Sequence, residues 1–148
     1  MGCFPTGVVV ATTLKECQAP VGLTINSFSS LSLDPALVLW NIALTAPSLE
    51  AFREHPGFTL NILSENQKSL CQQFAQPSPD KFKGIDWHPG YKGTPVIDGA
   101  LAVIQCKPYQ RYEGGDHEII VGEVIKIEST EKDPLVYHRG RFVELADQ

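Results

Sequence analysis

The chain has 148 residues, 43% hydrophobic and 20% charged, with twelve Lys and Arg against seventeen Asp and Glu for a formal charge of -5. That length holds one compact core and is short for two, so a single domain over 1–148 is expected. The acidic balance argues against a nucleic-acid surface, and the longest apolar stretch, ALVLWNIAL, is far too short for a membrane span.

The opening MGCFPTGVVVATT has no charged region ahead of its apolar run and makes a poor secretion signal. Cys3, Cys17, Cys71 and Cys106 are scattered, with no C-x-x-C and no zinc spacing, which suits reduced thiols and a cytoplasmic location. In chain order, the β-branched run TGVVVATTL predicts a strand closed by the turn-like KECQAP. GLTINSFSSLSLDP and ALVLWNIAL predict two more strands, joined at Asp34-Pro35. APSLEAFREHPG predicts a short helix: Pro47 suits its first turn, Leu49 and Phe52 share a face, and Pro56-Gly57 stops it. FTLNIL alternates, with Phe58, Leu60 and Ile62 on one side of a half-buried strand. Ser64 to Gln67 reads as a capping box opening a second helix, on which Leu70 and Phe74 lie four apart. Residues 77–95 carry four prolines and three glycines and predict a long ordered loop, of the kind that often serves as a lid. Two long strands follow, VIDGALAVIQCKPYQRY and HEIIVGEVIKIES, with a bulge expected at Gly122. PLVYHRGRFVEL predicts a last strand or hairpin. Six or seven strands with two short helices make a mainly β, small antiparallel barrel the expected fold.

Common catalytic motifs are missing. The sequence has no G-x-G-x-x-G, no Walker A loop and no G-x-S-x-G elbow, and His55, His88, His117 and His138 are too scattered to hold a metal. One stretch stands out. Five hydroxyls fall within nine residues (Thr24, Ser27, Ser29, Ser30, Ser32), interleaved with apolar side chains. Adjacent Ser29 and Ser30 break a strict alternation, and serine hydroxyls with backbone N–H groups make a plausible cradle for phosphate. The wet face of an edge strand would look the same. A second oddity is EGGDHEIIVGEV, where Gly114 and Gly115 let the backbone place Asp116 and His117 at a strand mouth. A third is YHRGRF, which gathers Tyr137, His138, Arg139 and Arg141. Plain hairpin ends would account for both.

The chain resembles the flavin reductase-like family of FMN-binding split barrels almost end to end. FPTGVVVATT, GLTINSFSSLSLDPALVLWNI, FTLNILSENQKSLCQQFA, GDHEIIVGEV and PLVYHRGRF stand in the family's order and spacing. The pairing of N-S-F-S-S-x-S-x-x-P with a downstream G-D-H is specific. The resemblance implies a Greek-key split β-barrel and a homodimer with FMN or FAD near the subunit interface. It implies that NADH or NADPH reduces the flavin, which then passes to a separate monooxygenase. It also implies that Thr24, Asn26 and Ser27 face the pyrimidine edge of the flavin ring, that Phe28 belongs to the same flavin-binding segment, that Ser29, Ser30 and Ser32 hold ribityl and phosphate oxygens, and that Ala46, Pro47 and Ser48 offer N–H donors at the first helix. Asp116, His117, Tyr137 and Arg139 would meet the nicotinamide. Family members usually carry a helix ahead of F-P-T-G-V, and here the chain opens almost at that motif. No lysine or arginine in the L-T-A-P-S segment pairs the phosphate, which implies modest affinity. The cofactors would own the hard chemistry, so no catalytic acid or base need stand out. The alternative is a flavin-binding electron carrier that serves a partner protein and never meets a nicotinamide.

Overall fold

The computed structural model describes residues 1–146. Its elements run β1 (Thr6–Gly7), β2 (Val9–Leu14), β3 (Pro20–Ile25), β4 (Ser29–Leu33), β5 (Ala36–Ala43), α1 (Leu49–Glu54), β6 (Phe58–Ile62), α2 (Lys68–Ala75), β7 (Trp87–Pro89), β8 (Pro95–Ile97), β9 (Ala102–Gly114), β10 (His117–Ser129), β11 (Val136–His138) and β12 (Arg141–Val143). Seven strands form the main sheet in the order β3-β2-β6-β9-β10-β5-β4, with β1-β11-β12 and β7-β8 as smaller sheets. Every ladder is antiparallel.

The hydroxyl-rich stretch is two strands and not one. β3 and β4 sit at opposite edges of the main sheet, yet only Asn26, Ser27 and Phe28 join them. A flat sheet of seven strands would hold its edges about 29 Å apart, whereas four Cα steps reach at most ~15 Å. The sheet therefore curls until its edges approach at this end. No ladder joins β3 to β4 among the described residues, so the curl stays open.

Inside the curl lies a core of Trp40, Ile42, Phe52, Phe58, Leu60 and Ile120, each at most 2% exposed. Trp40 meets Phe52 and Phe58 edge-on, at centroid distances of 4.9 and 5.9 Å. A second cluster, with Val8, Val10, Leu63, Phe74 and Leu135, sits under α2 and the β1-β11-β12 sheet. β6 is buried on both faces apart from its end, contrary to the half-buried expectation. Its polar side is roofed by residues 91–97. Thr59 and Thr94 share a hydroxyl contact of 2.7 Å, and the Ile97 N–H donates to Asn61 Oδ1 at 2.8 Å. The expected long loop is thus partly the β7-β8 hairpin. The capping box is present, with the Ser64 N–H donating to Gln67 Oε1 at 3.1 Å. The bulge at Gly122 is present as a register shift between Val121 and Gly122. A second irregularity lies between Val124 and Lys126, and Ile125 and Ile127 in that part of β10 are exposed.

Candidate functional site

Two cavities meet at Thr24. The larger, about 570 Å³, lies between the start of β3, segment 46–48, the end of α2 and residues 77–82. Two lysines from distant parts of the chain line it, Lys15 and Lys81, together with Ser48 and Ser78. Lys15 opens the β2-β3 turn, its N–H donating to the Ala19 carbonyl at 2.9 Å. Lys81 sits on a segment pinned to α2. The Gln73 amide donates to the carbonyls of Lys81 and Lys83 at 2.7 and 2.9 Å, and Phe82 packs edge-on against Phe74 at 4.9 Å. The ammonium of Lys81 donates to the Phe74 carbonyl at 2.9 Å, and burial lowers its pKa.

The second cavity, about 430 Å³, lies on the other side of Thr24. Asn26, Gln72, Gln76, Tyr137 and Phe142 line it, and Tyr137 meets Phe142 edge-on at 5.5 Å. The Thr24 hydroxyl donates to the Cys71 carbonyl at 2.7 Å, tying β3 to α2 between the two cavities. Among the described residues, neither cavity is lined by Asp or Glu. A cationic, hydroxyl-rich cavity next to a neutral one of amides and aromatic rings suits a flat heteroaromatic carrying a phosphate. A further cavity of about 730 Å³ by Phe142 is lined by Glu65, Asp133 and Glu144, which would repel a phosphate.

The structure brings Thr24, Ala46, Pro47 and Ser48 into the first cavity, and Thr24, Asn26 and Tyr137 into the second. It does not bring the serines of β4 there. Ser27 is occupied structurally, accepting the Asn41 N–H at 2.9 Å, and Phe28 packs against the main core. Ser29 and Ser30 are exposed on the far edge with Ser32 beside them, and the Ser29 hydroxyl donates to the Ser30 carbonyl at 2.9 Å. Nor do the four nicotinamide candidates form one group. His117 opens β10 opposite Ala43, with its Nδ1 2.7 Å from Asp116 Oδ1, while Tyr137 pairs with Thr6 in the small sheet. Arg139 turns at φ 49°, its N–H donating to the Gly2 carbonyl at 2.8 Å. Lys15 and Lys81 are the residues that sequence reasoning missed. Only the fold brings them together.

Hydrogen bonding from His117, reinforced by its charge, lowers the pKa of Asp116. A lowered carboxylate pKa adds stability above the ordinary carboxylate range, and the contribution disappears as pH falls through the lowered value. His117→Ala should therefore move the Asp116 titration back up toward the usual range, which side-chain NMR would read. An unmoved titration would mean the contact is not made in solution.

Residues 1–146 match the family described as flavin reductase like domain. The chain belongs to that family. Among similar proteins, the reductase component of a flavin-dependent trigonelline monooxygenase from Acinetobacter baylyi is 43% identical over 95% of this chain and 46% of its own length. The FMN reductase (NADH) SmoA of Agrobacterium fabrum is 39% identical over 100% of this chain and 84% of its own. The solved structure of the NADH:FAD oxidoreductase SgcE6 from Streptomyces globisporus superposes with TM-score 0.93 at 37% identity, covering 99% of this chain and 89% of that one. The same protein has been solved with NAD and FAD fragments. The chain thus spans under half of the first of these relatives and most of the other two.

Proposed function

We propose that this flavin reductase-like chain is one split-barrel domain that uses NADH or NADPH to reduce FMN or FAD and delivers the reduced flavin to a separate monooxygenase. The observation that carries the reading is the pair of neighbouring cavities that share Thr24 and Ala75, one with Lys15, Lys81 and Ser48 for a phosphate and the other with Asn26, Gln72 and Tyr137 for a ring. The donor set fits a flavin phosphate, since amines and hydroxyls converge there and no carboxylate among the described residues lines that cavity. The split-barrel reading is supported by the curled sheet whose edges approach without pairing. When bound, the flavin supplies the two-electron chemistry, accepting hydride from the nicotinamide. The chain's own residues would hold the phosphate through Lys15, Lys81 and Ser48 and orient the ring beside Thr24 and Asn26.

We read the assembly as a homodimer. β4 is uncovered, with Leu31 50% and Leu33 97% exposed, and Ile127 on β10 is 60% exposed. Apolar side chains along a free sheet edge favour burial against a second copy. In that arrangement Ser29, Ser30 and Ser32 would reach a flavin near the interface. No helix among the described residues is long and apolar enough to cross a membrane, and the reading places the protein in the cytoplasm.

The test is anaerobic titration of the purified protein plus FMN or FAD with NADH, then NADPH. Bleaching of the visible flavin band by one of them at catalytic rates is expected. Flavin that binds and is bleached by neither would favour the electron carrier. His117→Ala should keep flavin binding and raise the KM for the nicotinamide with kcat little changed, the pattern of lost uniform binding. Unchanged nicotinamide kinetics would remove His117 from the site.

A further inference from the structure

The helix that begins at the phosphate end of the cavity is held from its other end. α1 has six residues, and a helix that short has no stability of its own in water. Its buried Leu49, Ala51 and Phe52 anchor one face. Its C-terminal carbonyls, which have no partner within the helix, are capped from β9: Arg111 donates to the carbonyl of Phe52 through Nη2 and to that of Arg53 through Nη1, the latter at 3.1 Å. Glu118 of β10 joins the two arginines. Its Oε2 accepts from Arg53 Nε at 3.2 Å and Nη2 at 2.9 Å, and its Oε1 lies 3.5 Å from Arg111 Nε, an ion pair too long for a hydrogen bond. The Glu118 side chain is 13% exposed, so this charge works in partly dry surroundings. At the front of α1, the Leu44 N–H donates to the Asp116 carbonyl at 2.9 Å and the Ala46 N–H to that of Ala43 at 3.0 Å. The turn carrying Ala46, Pro47 and Ser48 is therefore suspended between the mouth of β10 and a helix clamped by the next residues of the same hairpin.

We propose that Glu118, through Arg53 and Arg111, is a positioning residue for the phosphate end of the flavin cavity, holding α1 so that segment 46–48 faces Lys15 and Lys81. This rests on the flavin reading above. Glu118 touches no ligand, and its influence passes along one rigid helical turn and a half. With its charge removed, Arg53 keeps only its 2.7 Å pair with Glu50 on the same helix and Arg111 only its two carbonyls, so α1 is no longer tied to β10 at its end and the turn at its start drifts relative to the lysines. The ring end of the cavity, built on β3, α2 and β11, does not depend on the clamp.

The experiment compares FMN and riboflavin, which differ only in the phosphate, by fluorescence titration of the full chain. Glu118→Gln should weaken FMN binding about tenfold and leave riboflavin binding within about twofold. Arg111→Lys, which keeps the charge but not the paired carbonyl contacts, should lower FMN affinity in the same direction and serves if Glu118→Gln fails to fold. A clamp that matters only for folding would lower the melting temperature and leave the FMN-to-riboflavin ratio at the wild-type value; that result, or equal losses for both flavins, overturns the proposal. Wild-type protein that binds neither flavin would overturn the flavin reading itself, an outcome visible before any variant is made.

Discussion

Lys81→Met should weaken FMN binding by roughly ten- to a hundredfold, since one charge-assisted hydrogen bond is worth about 1.5–3 kcal/mol. Methionine keeps the aliphatic stem beside Phe74 and removes the charge, so riboflavin affinity should change little. Lys15 is exposed and works in higher dielectric. Lys15→Met should therefore cost only a few-fold, and that loss should shrink with added salt. Burial gives the Lys81 effect a pH signature. Its pKa is lowered, so the cation that attracts phosphate is lost at lower pH than for an ordinary lysine. FMN affinity should begin to fall on the alkaline side before exposed lysines titrate, and the fall should be absent in Lys81→Met. Equal losses for FMN and riboflavin would place the phosphate elsewhere.

Gly122→Ala is expected to lower stability by about 1–3 kcal/mol, the usual cost of overpacking a filled core. That corresponds to a fall in Tm of roughly 3–10 °C for a domain of this size. A Cβ at Gly122 would overlap Phe58 Cζ and lie 3.0 Å from Cys106 Cβ. Phe58 is 1% exposed and wedged against Trp40, and Cys106 is fully buried, its thiol pKa pushed up to about 12 by burial. Neither can give way without opening the core. Gly7→Ala is the control, because nothing lies within 4 Å of a Cβ there. Calorimetry showing the same small shift for both variants would mean that the β9-β10 ladder adjusts freely at its bulge.

The sequence carried the strands well where local pattern and burial agree. β2, β5, β10 and both helices lie where apolar periodicity and the Ser64 capping box put them, whereas the expected strand from Val96 to Tyr112 is broken, with Val96 and Ile97 in β8 and β9 starting only at Ala102. It misled where a segment's neighbours come from far away. Phe58, Leu60 and Ile62 alternate as in a one-sided strand, but Thr59 and Asn61 are buried too, because residues 94–97 supply them with hydrogen bonds. Nothing in F-T-L-N-I-L announces that roof. The hydroxyl stretch looked continuous because its break at Asn26 to Phe28 has no Gly or Pro to mark it. Of the candidate site, Thr24, Asn26 and segment 46–48 could be picked out from residues and resemblance. Lys15 and Lys81 could not, since each is an ordinary lysine in a turn or loop and only the pinning of residues 77–83 to α2 makes them neighbours.

The strand order also dictates when the molecule can be completed. Among the described residues β5 pairs only with β4 and β10, so the β4-β5 hairpin is laddered to the rest of the main sheet through residues 117–123. During synthesis the first half of the chain would emerge with that hairpin, Trp40 included, waiting for a partner made near the end. Pairings this distant in sequence are slow to form and leave apolar edges open meanwhile. Newly made chains should therefore be most vulnerable to aggregation in the interval before β10 leaves the ribosome, and a chain stopped short of His117 would lack the only strand that could attach the hairpin to the sheet.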